Sequence, residues 1–89
     1  MTLTTRKIDR RPSKETFYLI EREGVPVGFL TKYPNTRTEE HPTKLFLYDG
    51  PFVPGKTEST MVTVDYGRRF SDSKKILLGI AAKELENRG

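Results

Sequence analysis

A chain of 89 residues with a formal net charge of +4, 34% hydrophobic and 31% charged residues has the size of one domain with one modest core, which leaves little room for a deep enclosed pocket. It contains no cysteine and a single histidine, which excludes a disulfide framework and a zinc site of ordinary composition, so no metal, no cofactor and a reducing, cytoplasmic setting are expected. Leu3 and Ile8 are the only large aliphatics beside Met1 before Thr16; neither a signal peptide nor the roughly 20-residue apolar run of a membrane span is expected.

The N-terminal segment 1–14 reads as a flexible basic arm. Arg6, Lys7, Arg10, Arg11 and Lys14 face the single acid Asp9, and Pro12 interrupts any regular element. From 15 to 89 the chain holds eleven bases and eleven acids, so the whole net charge sits in the arm. Residues 15–89 read as a single α+β domain.

From Thr16 the pattern has period two. Phe17 and Leu19 alternate with Tyr18 and Ile20, Glu21 to Gly24 forms a polar turn, and Val25, Val27 and Phe29 share one face of a second strand. Pro26 lacks a backbone donor and belongs at an edge. Tyr33 to Pro42 is polar and is predicted to be an exposed loop. Lys44 to Tyr48 forms a third strand, and about Thr57 to Tyr66 a fourth, in which Val62, Val64 and Tyr66 alternate with Met61, Thr63 and Asp65.

The last element is a helix. Ser71, Asp72 and Ser73 are candidate caps, and Arg88 suits the negative end. At 100° per residue Ile76, Leu77, Leu78, Ile80, Ala81, Ala82 and Leu85 spread over about two-thirds of the circumference. Either a strongly twisted sheet wraps this arc, or Leu78 and Ala82 meet a second subunit in a homodimer. The expected architecture is therefore a four-stranded, mainly antiparallel sheet of hairpins packed against one C-terminal helix. Its element order resembles the small sheet-based DNA-binding domains of recombinases and plant transcription factors, with no diagnostic residue carrying the likeness.

Gly50-Pro51-Phe52-Val53-Pro54-Gly55-Lys56-Thr57 satisfies the Walker A pattern and resembles the P-loop nucleotide-binding family across those eight residues. A P-loop, however, aims consecutive backbone N–H groups at a phosphate and then opens a helix. Here two of the four variable positions are proline, which has no N–H. The following Glu58 to Val64 is β-branched at four of seven positions and predicts a strand. The expected structure is a hairpin connection, and P-loop-like nucleotide binding stays a remote alternative.

No reactive centre assembles from the remaining residues. His41 lies in the polar loop, and adjacent Glu39 and Glu40 have the wrong spacing for paired-carboxylate chemistry. Pro51-Phe52-Val53-Pro54 has the P-x-x-P spacing of proline-recognition ligands and offers Phe52 as a contact residue. Arg68, Arg69, Lys74 and Lys75 form a second basic cluster around the helix start, while Tyr18, Phe46, Tyr48 and Lys44 could supply a stacking surface.

These features predict a small non-enzymatic, regulatory binding protein. The leading expectation is nucleic-acid contact through Arg6, Lys7, Arg10, Arg11, Lys14, Arg68, Arg69 and Lys74, with full engagement of the arm giving a log–log salt slope near −4. The alternative is a larger protein partner, an inhibitor's or adaptor's target, met through Leu78, Ala82 and Phe52 or a sheet edge. No membrane partner is expected.

Overall fold

Alternating apolar residues drive most of the strands, and turn chemistry sets where they reverse. In the computed structural model, which describes residues 2–8, 16–32, 43–66 and 69–88, the elements are β1 (Thr4–Ile8), β2 (Thr16–Arg22), β3 (Val25–Lys32), β4 (Thr43–Tyr48), β5 (Ser59–Asp65) and α1 (Phe70–Arg88). The strands form one antiparallel sheet in chain order, β1-β2-β3-β4-β5. The α+β class and the C-terminal helix agree with the sequence pattern, but the sheet has five strands rather than four.

The additional strand is β1, which comes from the segment expected to be a flexible arm. Thr4 and Thr5 favour an extended backbone, and the outer edge of β2 offers unpaired N–H and C=O groups, so Thr4 to Ile8 pairs with Phe17 to Glu21. Leu3 packs against the core just before it. Arg6 and Lys7 then serve as edge charges, which discourage pairing with another chain. The rest of the arm, 9–14, lies outside the described residues, as do His41, Glu39, Glu40 and the whole predicted loop from Tyr33 to Pro42.

The β2–β3 hairpin closes on a two-residue turn, Glu23 at φ 53° and Gly24 at φ 80°. A pair of positive φ values is what a type I′ turn needs, and its twist matches the flanking strands. Two bulges then decide which side chains face which way. One places Val27 between the pairs Ile20↔Gly28 and Glu21↔Pro26. As a result Val27 packs on the core, whereas Phe29, paired with Leu19, looks out from the opposite face. The expected common face of Val25, Val27 and Phe29 is therefore corrected. A second bulge, opposite Leu45/Phe46, sends Val62 to the core and leaves Val64 paired with Lys44 on the other face, which corrects the expected Val62/Val64 face as well.

Helix α1 lies over β4 and β5. The core beneath it comprises Ile20, Leu30, Leu45, Leu47, Leu77 and Ala81. The helix begins at Phe70, one residue before the first predicted cap, with the Arg69 carbonyl accepting from the Asp72 and Ser73 amides. Ser73 is no cap: it is 1% exposed, and its hydroxyl donates to Asp65 Oδ2 at 2.6 Å, tying the helix to the end of β5. Ser73→Ala should lower stability by about 2 kcal/mol, the usual worth of a hydrogen bond to a charged group, read from the urea midpoint.

The apolar arc of α1 divides differently from expectation. Leu78 and Leu85 pack against the core and Ala82 is half-buried, while Ile76 and Ile80 are 41% and 38% exposed. The outward part of the arc is thus Ile76 and Ile80 rather than Leu78 and Ala82. No described helix is long and apolar enough to cross a membrane.

Candidate nucleic-acid interface

Strand register places Lys7 and Lys32 on the side of the sheet that carries α1, whose start bears the predicted cations Arg69 and Lys74. Lys7 of β1 is exposed and pairs directly with Tyr18 of β2. Tyr18 in turn lies against Phe70, the first residue of α1, with ring centroids 4.5 Å apart. Lys32, at the end of β3, sets its Nζ 4.6 Å from the Phe70 ring centroid, a distance at which the ring's quadrupole attracts a cation. Arg69 is exposed immediately before Phe70, and Lys74 follows it by one helical turn, half-buried. Lys7 and Lys32 therefore flank one aromatic pair, and Arg69 and Lys74 stand beside Phe70 in the chain and one turn along the helix. On the helix Asp72 lies two residues from Phe70 and so on the opposite side of α1, while the Asp65 carboxylate at the end of β5 reaches the helix at Ser73, next to Lys74.

Tyr18 thus belongs to the side of the sheet that carries the helix, not to a common stacking surface with Phe46 and Tyr48. Those two residues, with Lys44, lie on the other side. There Phe29 stacks on Phe46 at 4.8 Å and 10°. A ladder of tilted rings runs from Phe17 to Phe29 (5.8 Å, 50°), Tyr48 (5.9 Å, 54°) and Phe52 (5.0 Å, 52°). Among the described residues no helix or strand packs over this face. Its ladder and Ile8 and Leu19 line a shallow groove of about 250 Å³.

Arg6 faces the same way as this groove, opposite Leu19, with its side chain 67% exposed and its Nε 3.6 Å from Glu21 Oε1. Phe52, predicted as a contact residue, is half-buried against Tyr48. Arg10, Arg11, Lys14 and Arg68 lie outside the described residues. Sequence reading missed Lys32 and Phe70. Alternation continued past Phe29 would have assigned Lys32 a face, but the bulge at Val27 hides which one, and Phe70 precedes the apolar arc that marked the helix.

The Walker-like segment closes on itself. The amides of Lys56 and Thr57 both donate to the Val53 carbonyl, at 3.0 and 3.1 Å, and the Thr57 hydroxyl donates to Pro51 O at 3.1 Å. These donors are spent within the turn, and β5 follows it rather than a helix. Among the described residues no group of three or more acids or histidines is placed to hold a metal ion. No protein-family model, curated protein or solved structure matches this chain.

Proposed function

We propose that this protein is a small non-enzymatic nucleic-acid-binding accessory protein that holds a phosphate backbone on the cluster of Lys7, Lys32, Arg69 and Lys74. The supporting observation is that Lys7 pairs with Tyr18 and Lys32 lies over the Phe70 ring against it, with Arg69 and Lys74 next to Phe70 and one helical turn after it. Cations drawn from an edge strand, a strand end and a helix start repel one another unless an anion joins them, and a polyphosphate backbone supplies such an anion along its length.

A salt titration tests this reading. Engagement of all four cations should give a slope of roughly −3 to −4 in log affinity against log salt, measured by fluorescence anisotropy on a labelled oligonucleotide. Absence of binding at low salt would remove the proposal.

A second reading draws on Ile76 and Ile80, exposed one turn apart on α1. Such a pair suits a protein partner that lays an apolar surface along the helix. It predicts capture that is insensitive to salt and lost in Ile80→Glu.

A further inference from the structure

The face of the sheet opposite α1 carries a second feature, which the phosphate cluster does not use. Four rings, Phe17, Phe29, Tyr48 and Phe52, follow one another at 5.8, 5.9 and 5.0 Å, each tilted by 50° to 54° from the next. Phe52 reaches this ladder from the β4–β5 connection. Rings at these spacings pack against one another and are each half-buried, and they line a groove over which no described helix or strand packs. We infer that unpaired bases of a single-stranded nucleic acid stack into this groove, with the backbone passing Arg6 on the β1 rim. The inference rests on the nucleic-acid reading above and narrows it to single strands.

Three observations favour this occupant. The groove, about 250 Å³, falls below the roughly 300 Å³ of an ordinary enclosed small-molecule site; a shallow slot of that size suits planar rings entering from an open side. Its rim carries two cations against one carboxylate, Glu21: Arg6 lies next to Ile8 along the groove side of β1, and Lys44 lies beside Phe46 on the same face. Glu21 meets the Arg6 guanidinium at Nε and orients it. The third observation concerns β1 itself, where Arg6 and Lys7 are consecutive and point to opposite faces. One edge strand thereby links the groove to the phosphate cluster, so a single strand crossing that edge meets cations on both sides. A duplex buries its base faces in its own stack and can offer this face only backbone and base edges, whereas every unpaired base has a π-face to stack.

The chain contains four tyrosines but no tryptophan, so Phe52→Trp places a single indole, excited at the red edge where tyrosine does not absorb, in the groove. Titration with an oligothymidylate of about a dozen nucleotides, within the usual site size of sheet-based single-strand binders, should quench it, and a duplex of equal length should not. Phe52→Ala should weaken single-strand binding by about tenfold, the loss expected for one stacked base, and leave duplex affinity unchanged. Phe17→Ala should do the same from the other end of the ladder.

Equal quenching by duplex, or single-strand affinity unchanged in both alanine variants, overturns the inference while salt-dependent binding keeps the phosphate proposal standing. Binding of neither nucleic acid removes both. A dimer in sedimentation velocity that Phe52→Ala dissociates without nucleic acid would assign the groove to a second copy of the chain and overturn the inference as well.

Discussion

Reversing two charges together, Lys7→Glu with Arg69→Glu, is expected to lower nucleic-acid affinity by about a hundredfold, roughly 3 kcal/mol. Both residues are exposed, so the melting temperature should move little and the loss can be assigned to binding. Each replaced cation also removes counterion release, and the salt slope should become shallower by about 2. Exchanging the two residues in kind, Lys7→Arg with Arg69→Lys, keeps the charge and should restore most of the affinity. Titrations of the three proteins at several salt concentrations give both quantities. Wild-type affinity in the reversed variant would show that Lys7 and Arg69 contact no phosphate.

The second large effect concerns stability and originates at Gly28. A Cβ built there would lie 2.3 Å from the Phe46 carbonyl oxygen, 2.8 Å from Leu47 Cδ2 and 3.1 Å from Leu47 Cα. The first of these is backbone in the neighbouring strand, so relief requires β3 and β4 to separate where Gly28 pairs with Leu47 over the core. Gly28→Ala should therefore destabilise by about 3 kcal/mol, the upper range for forcing added volume into a packed interior, and lower the melting temperature by more than about 10 °C for a domain of this size. Gly50→Ala serves as the control, because nothing lies within 4 Å of the point its added methyl would occupy; its change should stay within about 0.5 kcal/mol. Calorimetry or a urea titration on the pair decides the matter, and a midpoint for Gly28→Ala equal to that of Gly50→Ala would refute the argument. Because Phe29 follows Gly28 directly and stacks on Phe46, the same displacement would disturb the aromatic ladder.

The candidate site was legible only in pieces. Arg6, Lys7, Arg69 and Lys74 were visible as basic residues, since charge needs no partner to be read. Their division between two faces was not, because it depends on β1 joining the sheet. Phe46 and Tyr48 were visible as one face of a strand, yet Phe29, the ring that joins them to Phe17, was assigned beside Val27. A bulge of one residue reverses every side chain beyond it, and period-two reasoning has no means of locating one.

Local chemistry in the sequence by itself determined the α+β class, the reversal at Glu23-Gly24, the hairpin connection in place of a phosphate loop, and a C-terminal helix. Each follows from interactions within a few residues: alternation, glycine at positive φ, proline without a donor, and a run of helix formers. Tertiary structure alone decided that Thr4 to Ile8 becomes a strand, that Val27 and Val62 turn inward, and that α1 leaves Ile76 and Ile80 outside. Those outcomes depend on hydrogen-bonding edges and apolar surfaces supplied by distant segments, and they exist only once the sheet has assembled.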